Sequence, residues 1–159
     1  MIKHDQRFKY PRSLRLIRSE DYGVLVRERN ENTFGLAWGA FSLSAKWREP
    51  SGQDLRFGVT VGKRNCHRSV DRALVKRLLK EEARHRAPSI REKISRLEKG
   101  LDVSLRLRSV YDRVSGADIG VAAVKKTLRK DVAGLFDRLE SFIDKKIKVE
   151  RCSEGCARD

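Results

Sequence analysis

A row of cations spaced one helical turn apart constrains the fold of this chain more than any other feature of its sequence. Residues 56–86 combine a short apolar strand over 57–61, a basic loop over 62–69 and a helix that begins near Val70. At about 100° per residue, this helix separates its apolar residues from its cations. The apolar half carries Val70, Leu74, Val75, Leu78 and Leu79, and the cationic half carries Arg72, Lys76, Arg77, Lys80 and Arg84. The helix must therefore bury one half and leave the other half open.

Three segments before this helix have the periodicity of regular structure. We predict a short helix over 14–26 and a strand over 34–47, with a bulge or bend near Gly39 where the apolar positions change from even to odd. A second strand is predicted over 55–61. The simplest pairing of the two strands is an antiparallel hairpin.

Further elements follow the basic helix. Pro88 is expected to end the helix, which leaves 89–100 as an extra short helix or a loop. Residues 101–107 alternate as a strand with one face in solvent. A last helix is predicted over 118–147, with Asp118 as a candidate N-cap and one apolar face that packs on the sheet.

These elements predict an α+β protein, a single-domain α/β sandwich with a mixed sheet of about four strands. The length of 159 residues suits one domain. We expect this domain to cover residues 1–149 and the polar segment 150–159 to be a disordered tail.

The charge balance of the chain favours an anionic partner. Lys and Arg number 37 against 22 acidic residues, which gives a net charge of +15. Like charges four residues apart destabilise an isolated helix, so phosphates that neutralise the basic helix would stabilise it. Lys63, Arg64, His67 and Arg68 add cations just before that helix. A solvated helix face remains the alternative explanation of the charge pattern.

A membrane is the competing anionic partner, and the sequence disfavours it. No run of about 18 apolar residues is present, and no apolar helix face is left over once the core is built. The segment that follows Met1 lacks the apolar region of a signal peptide. We therefore expect a cytoplasmic protein that does not bind membranes.

No pattern in the sequence indicates a catalytic or metal site. The segment 62–63 lacks the other residues of a phosphate-binding P-loop. Asp21 and Asp71 could bind magnesium, but the helix dipole alone accounts for Asp71 in a first turn. The spacing of the histidines and cysteines predicts no catalytic triad, zinc site or disulfide framework: His4, His67, His85, Cys66, Cys152 and Cys156. The residues themselves indicate a binding protein that holds no cofactor.

Two motifs resemble those of a known family, the protein subunit of bacterial ribonuclease P. The segment 10–16, YPRSLRL, is similar to the aromatic-Pro-basic opening of the family, and 58–65 is similar to its strand and basic loop. The family's helix signature is matched by Arg72, Val75, Lys76, Arg77, Leu79 and Glu81. Ala73 and Leu74 stand where the family has Asn and a second Arg.

The resemblance implies a ribosomal protein S5 domain 2-like fold with the basic helix in a left-handed βαβ crossover. It implies that a catalytic RNA hydrolyses precursor tRNA, with Mg2+ held mainly by RNA, and that the protein binds both RNAs. The residues it implies for RNA binding are Lys63, Arg64, Arg68, Arg72, Lys76, Arg77 and Lys80. Tyr10 and Tyr22 would line the cleft that receives the 5′ leader, where an aromatic ring can stack on a base.

Two other functions stay open on the sequence alone. Ala73 and Leu74 favour a general RNA-binding or ribosome-associated protein that has lost the holoenzyme role. A self-sufficient nuclease would need clustered carboxylates for metal ions. Tyr10 and Tyr22 also have an alternative explanation as core aromatics.

Overall fold

The computed structural model of the chain describes residues 10–50, 52, 54–110 and 121–156. These residues form three helices and four strands, which confirms the predicted α+β class and the four-stranded mixed sheet. In chain order the elements are α1 (Ser19–Arg27), β1 (Thr33–Trp38), β2 (Phe41–Arg48), β3 (Leu55–Thr60), α2 (Ser69–Ser95), β4 (Gly100–Leu107) and α3 (Val121–Cys156). The expected cap at Asp118 lies outside the described residues.

The sheet has the strand order β1-β2-β4-β3. β2 is antiparallel to both β1 and β4, whereas β3 and β4 are parallel neighbours. The predicted hairpin between 34–47 and 55–61 is therefore wrong, because the first segment splits into two strands that pair with each other and β4 lies between β2 and β3. The pairing of β4 beside β3 agrees with the family's arrangement, and the left-handed crossover stays a prediction.

The chain reverses between β1 and β2 in a two-residue turn at Gly39 and Ala40. Gly39 has a φ of 52°, which suits the first position of a tight hairpin turn and favours glycine. Asp131 of α3 accepts a hydrogen bond from the Ala40 backbone N–H at 3.1 Å and occupies the space that a Cβ on Gly39 would need. The turn therefore anchors α3 at this end of the sheet.

The core lies between the sheet and a layer formed by α2 and α3. α2 contacts β3 and β4, and α3 contacts β1 and β2. The strands contribute Phe41, Leu43, Trp47, Leu55, Phe57, Leu101, Val103 and Leu105 to this core, all of them buried. Phe57 meets Phe136 of α3 with 5.8 Å between ring centroids. The two helices thus cover one side of the sheet.

Pro88 lies inside α2 and does not end it, contrary to the sequence prediction. A proline within a helix costs about 3 kcal/mol because it removes one backbone hydrogen bond and crowds the preceding turn. The apolar residues on either side of it, Ala87, Ile90 and Ile94, continue the buried side of the helix at three- and four-residue spacing. Their burial compensates for the proline, so the segment 89–95 is helical.

Ion pairs connect the second half of α2 to α3. Arg86 reaches Asp137 at 2.7 Å and Glu140 at 3.1 Å, and Lys93 reaches Glu140 and Asp144, both at 3.0 Å. Burial alone would raise the pKa of Glu140, but the hydrogen bonds from Lys93, Arg86 and Ser89 outweigh it, so the pKa is lowered. These contacts fix the two helices side by side.

α3 continues to Cys156, so most of the segment predicted as a disordered tail is helical. Glu150 accepts a hydrogen bond from Lys99 at 3.1 Å and lies 3.8 Å from Lys146 one turn earlier. These two lysines hold the start of the segment. The rest of the helix can extend into solvent because many of its side chains are charged. Residues 157–159 lie outside the described part of the chain.

Both faces of β4 are covered, although the sequence predicted one face in solvent. Asp102 is only 6% exposed and accepts hydrogen bonds from Arg48 at 2.7 Å and from Arg56 at 2.8 and 2.6 Å. Arg56 also lies 3.4 Å from Asp21 of α1. Asp102 is therefore the centre of a buried ionic cluster near α1, and Ser104 on the same face of β4 is also buried.

A short 3-10 helix, Arg12–Leu14, precedes an extended stretch over 15–18, and the helix predicted from residue 14 begins only at Ser19. Leu14 and Leu16 are both buried, while Ile17 is 55% exposed. The Leu16 N–H donates to the Phe57 carbonyl at 2.9 Å. Leu14 and Leu16 therefore do not belong to the helical repeat of α1.

We expect Asp102→Asn to lower the free energy of unfolding by about 2–4 kcal/mol. The substitution leaves Arg48 and Arg56 close together without a carboxylate, and breaking a fully buried pair costs about 3–5 kcal/mol. Both arginine side chains are about one-fifth exposed, which lowers the expected cost. Urea unfolding measures the change, and exposed Asp54→Asn is the control; an equal effect of the two substitutions would contradict the role of the cluster.

Glu140→Gln should destabilise the protein by about 1–3 kcal/mol at pH 7, because it removes charge-assisted hydrogen bonds. The folded-state pKa of Glu140 is below its ordinary value of 4.5, so this contribution is complete above pH 4.5 and is lost as the pH falls through the folded-state pKa. Thermal unfolding of both proteins from pH 7 to pH 3 tests this. Exposed Glu154→Gln on the same helix should change stability little at any pH, and a Glu140 effect that persists at pH 3 would argue against the charge.

Candidate nucleic-acid interface

The extended segment before α1 fixes an aromatic ring at the edge of β3. The Tyr10 hydroxyl donates to the Phe57 carbonyl at 3.0 Å, the same carbonyl that accepts the Leu16 N–H. The Arg15 guanidinium donates to the Tyr10 carbonyl at 2.8 Å and lies 5.4 Å from the centre of the Tyr10 ring. Tyr10 is therefore held from both sides, by the strand edge and by an arginine.

A groove separates this segment from α2. Tyr10 and Arg15 line one wall, and the other wall carries Ala73, Lys76, Arg77, Lys80, Glu81 and Arg84 of α2. We call these eight residues the Tyr10 groove. α2 presents this side because Val75, Leu79 and Ala83 on its other side are buried. The groove thus combines five cations, one carboxylate and one aromatic ring.

The structure brings four of the predicted RNA-binding and cleft residues together in the Tyr10 groove. They are Tyr10, Lys76, Arg77 and Lys80. Arg15 and Arg84 also line it and were not among the predicted site residues. Arg84 lies on the cationic half of the predicted helix. The place of Arg15 in the groove can be predicted only if the backbone between Leu14 and Leu16 is extended.

The remaining predicted cations belong to the loop that precedes α2. One Arg72 nitrogen, Nη1, donates to the carbonyls of Cys66 at 3.0 Å and His67 at 2.6 Å. Arg72 therefore holds the loop against the start of the helix. Lys63, Arg64 and Arg68 are exposed near this end of α2 and do not line the groove.

Buried contacts stabilise the same basic loop. Cys66 is fully buried, and the Asn65 side chain donates to the Leu107 carbonyl at the end of β4, at 2.8 Å. The loop between β3 and α2 is therefore fixed to the sheet, and its cations project from a supported backbone.

Tyr22 does not line the Tyr10 groove. Its ring packs on Gly58 of β3, where a Cβ would collide with it, and its hydroxyl donates to the Leu16 carbonyl at 3.3 Å. In β2, β3 and β4 the even-numbered positions, Gly58 among them, lie on the side of the sheet away from the core. Tyr10 and Tyr22 both contact β3 and the segment before α1, and a leader-binding cleft lined by both rings stays a prediction.

Burial raises the pKa of Tyr10 above its ordinary value. The electrostatic interaction with the Tyr22 phenol raises this pKa further, whereas the positive charge of Arg15 lowers it. Burial also raises the pKa of Tyr22, against a hydrogen bond from the Val59 backbone. Both phenols are therefore protonated and neutral at physiological pH. A neutral ring beside cations can contact a nucleic acid without charge repulsion.

The carboxylates considered for magnesium have other contacts. Asp21 lies 3.4 Å from Arg56, and Asp71 is 3% exposed in the first turn of α2. Among residues 10–50, 52, 54–110 and 121–156, no three His, Cys, Asp or Glu side chains are grouped as metal ligands would be.

Within the described ranges, none of the helices is both long enough and apolar enough to cross a bilayer.

The chain is similar to one family of known proteins. The family model Ribonuclease P matches residues 10–140. The chain is 25% identical over 145 residues to the ribonuclease P protein component of Burkholderia mallei, with 91% of this chain and 96% of the relative covered. It is 30% identical over 131 residues to that of Ralstonia pickettii, with 80% of each covered. The solved RNase P protein of Staphylococcus aureus has a TM-score of 0.44 and 14% identity, and the alignment covers 79% of this chain and 94% of that one.

Gly58→Ala should destabilise the protein and displace Tyr22, because the new Cβ would overlap its ring. We expect a loss of about 1–3 kcal/mol, typical of overpacking. Gly23→Ala is the matched control, since nothing lies within 4 Å of that site and alanine favours the α1 helix. Urea unfolding followed by tyrosine fluorescence measures both variants, and a Gly58→Ala protein as stable as wild type would contradict the packing of Tyr22.

Proposed function

The chain belongs to the ribonuclease P protein family, and we propose that it is the RNA-binding subunit of ribonuclease P, which assists a catalytic RNA in the endonucleolytic removal of the 5′ leader from precursor tRNA. The single observation that supports this role most is the Tyr10 groove, where five cations surround an aromatic ring. We expect the protein to assist leader removal in the cytoplasm, without a membrane partner.

The Tyr10 groove has the chemistry that single-stranded RNA needs. Lys76, Arg77 and Lys80 are exposed on α2 and can contact successive phosphates, while the neutral ring of Tyr10 offers a stacking surface for a base. Each phosphate contact releases counterions, so affinity falls with salt at a slope of about 0.7–0.9 per contact. Cations placed between two RNAs also reduce the repulsion between their backbones.

The loop cations extend this surface toward the catalytic RNA. Lys63, Arg64 and Arg68 project from a loop that Arg72 holds in place, so they can contact phosphates without ordering the backbone first. Arg72 then acts by positioning the loop more than by touching RNA. Hydrolysis is carried out by the RNA subunit with Mg2+ held mainly by RNA, and the protein contributes binding and electrostatics.

The two departures from the family signature fit the groove differently. Ala73 is exposed on the groove wall and offers neither a polar contact nor a charge, while Leu74 is half-buried and contributes to packing. Arg15 and Arg84 supply cations in the same groove. We propose that these arginines replace the contacts that Ala73 and Leu74 cannot make.

Leader removal by a bacterial ribonuclease P RNA at low Mg2+ tests the proposal. Wild-type chain should stimulate cleavage of precursor tRNA, and K76Q with K80Q should weaken substrate binding by the holoenzyme and lower the salt slope by about 1.4–1.8, as expected for two lost phosphate contacts. The measurement is single-turnover cleavage across a salt series.

Lys145→Gln with Lys148→Gln is the matched control, because both lysines are exposed on α3 and the same charge is removed. This control should behave like wild type. Tight binding to unrelated RNAs without any stimulation of cleavage would contradict the proposal, and it would favour a general RNA-binding or ribosome-associated protein.

A further inference from the structure

The N-terminal half of α3 carries a dense group of cations outside the Tyr10 groove. Lys125, Lys126, Arg129 and Lys130 fall within six residues, and the last three are exposed. We call Lys126, Arg129 and Lys130 the α3 basic face. Across the part of the chain that the structure describes, no carboxylate forms an ion pair with any of these three side chains.

The one acidic residue close to this group in sequence is directed elsewhere. Asp131 accepts the Ala40 N–H at 3.1 Å and packs on Gly39, so its carboxylate serves the turn between β1 and β2. Arg108 lies at the same turn, where its Nε donates to the Gly39 carbonyl at 3.0 Å. This end of the molecule therefore has an excess of positive charge.

The other half of the same helix has the opposite arrangement. Asp137, Glu140 and Asp144 lie where α3 meets α2, and they pair with Arg86 and Lys93. The carboxylates of α3 are thus concentrated in its C-terminal half, and Asp131 is the one carboxylate among residues 121–136.

The α3 basic face and the Tyr10 groove lie on opposite sides of the molecule. α3 covers β1 and β2, whereas the groove lies between α2 and the outer edge of β3. β1 and β3 are the two edges of the sheet, three strand spacings or about 14 Å apart. One groove cannot include both sets of cations.

The arrangement of the α3 basic face costs stability in the isolated protein. Lys126 and Lys130 are four residues apart and Lys126 and Arg129 three apart, so their like charges repel across one turn. A partner with regularly spaced negative charges reverses the sign of these interactions, and an RNA backbone has that property.

We propose that the α3 basic face is a second RNA-binding surface, so that one chain holds two RNAs, a single strand in the Tyr10 groove and a duplex on α3. The inference rests on the proposed RNA-binding function. Long, exposed cations one turn apart on a convex helix contact phosphates without reading sequence, so the expected ligand is the backbone of duplex RNA.

Energy transfer between two labelled RNAs tests this bridging. A donor-labelled single strand and an acceptor-labelled duplex of about 20 base pairs are mixed with limiting protein, and light scattering identifies complexes that hold one chain. Wild type should give transfer within these complexes. The variant K126Q, R129Q, K130Q should still bind the single strand, lose the transfer and lower the salt slope of duplex binding by about 2–3, the value for three phosphate contacts.

A charge-matched control separates a specific surface from net charge. The variant K145Q, K148Q, R151Q removes three exposed cations from the C-terminal half of the same helix, and it should retain wild-type transfer. If K126Q, R129Q, K130Q retains both the transfer and the wild-type salt slope, the second surface is overturned. The proposed function is tested separately, by the variant K76Q with K80Q. A wild-type chain that binds no RNA would overturn both.

Discussion

Parallel pairing of β3 with β4 is the constraint on which the rest of this structure depends. Two neighbouring strands that point the same way need a connection that returns along the length of the sheet, and α2 is that connection. The helix must bury one side to stay on the sheet, so its other side is open to solvent over the same length. The position of the cations in the Tyr10 groove follows from this geometry, since Lys76 and Lys80 occupy the open side.

Much of the architecture follows from periodicity in the sequence. The two sides of α2, the strand at 100–107 and the apolar face of α3 all appear as repeats of three to four or of two residues. The errors fall where a local signal competes with tertiary burial. Pro88 reads as a helix end, but the packing of Ile90 and Ile94 outweighs it. Asp102 reads as solvent-exposed, because nothing near it in sequence reveals Arg48 and Arg56.

Part of the candidate site could also be predicted from periodicity. Lys76, Arg77 and Lys80 belong to one helix, so their common side follows from spacing alone, whereas Tyr10 and Arg15 reach the groove only through the pairing of an extended segment with β3. Arg72 shows the opposite limit. Its position in the helix predicts a cation that points into solvent, but its guanidinium donates to the loop carbonyls of Cys66 and His67. Helical spacing predicts which side chains share a face, and it does not predict what folds back onto them.

The Phe57 carbonyl has a consequence for the behaviour of the free protein. An open strand edge is a template on which another chain can add a strand, and natural proteins block such edges. At the middle of β3 that position is taken twice, by the Leu16 N–H and by the Tyr10 hydroxyl. The segment that presents Tyr10 thereby guards the chain against self-association through β3. If this segment left the edge of β3, the exposed strand could pair with another chain and the protein would aggregate.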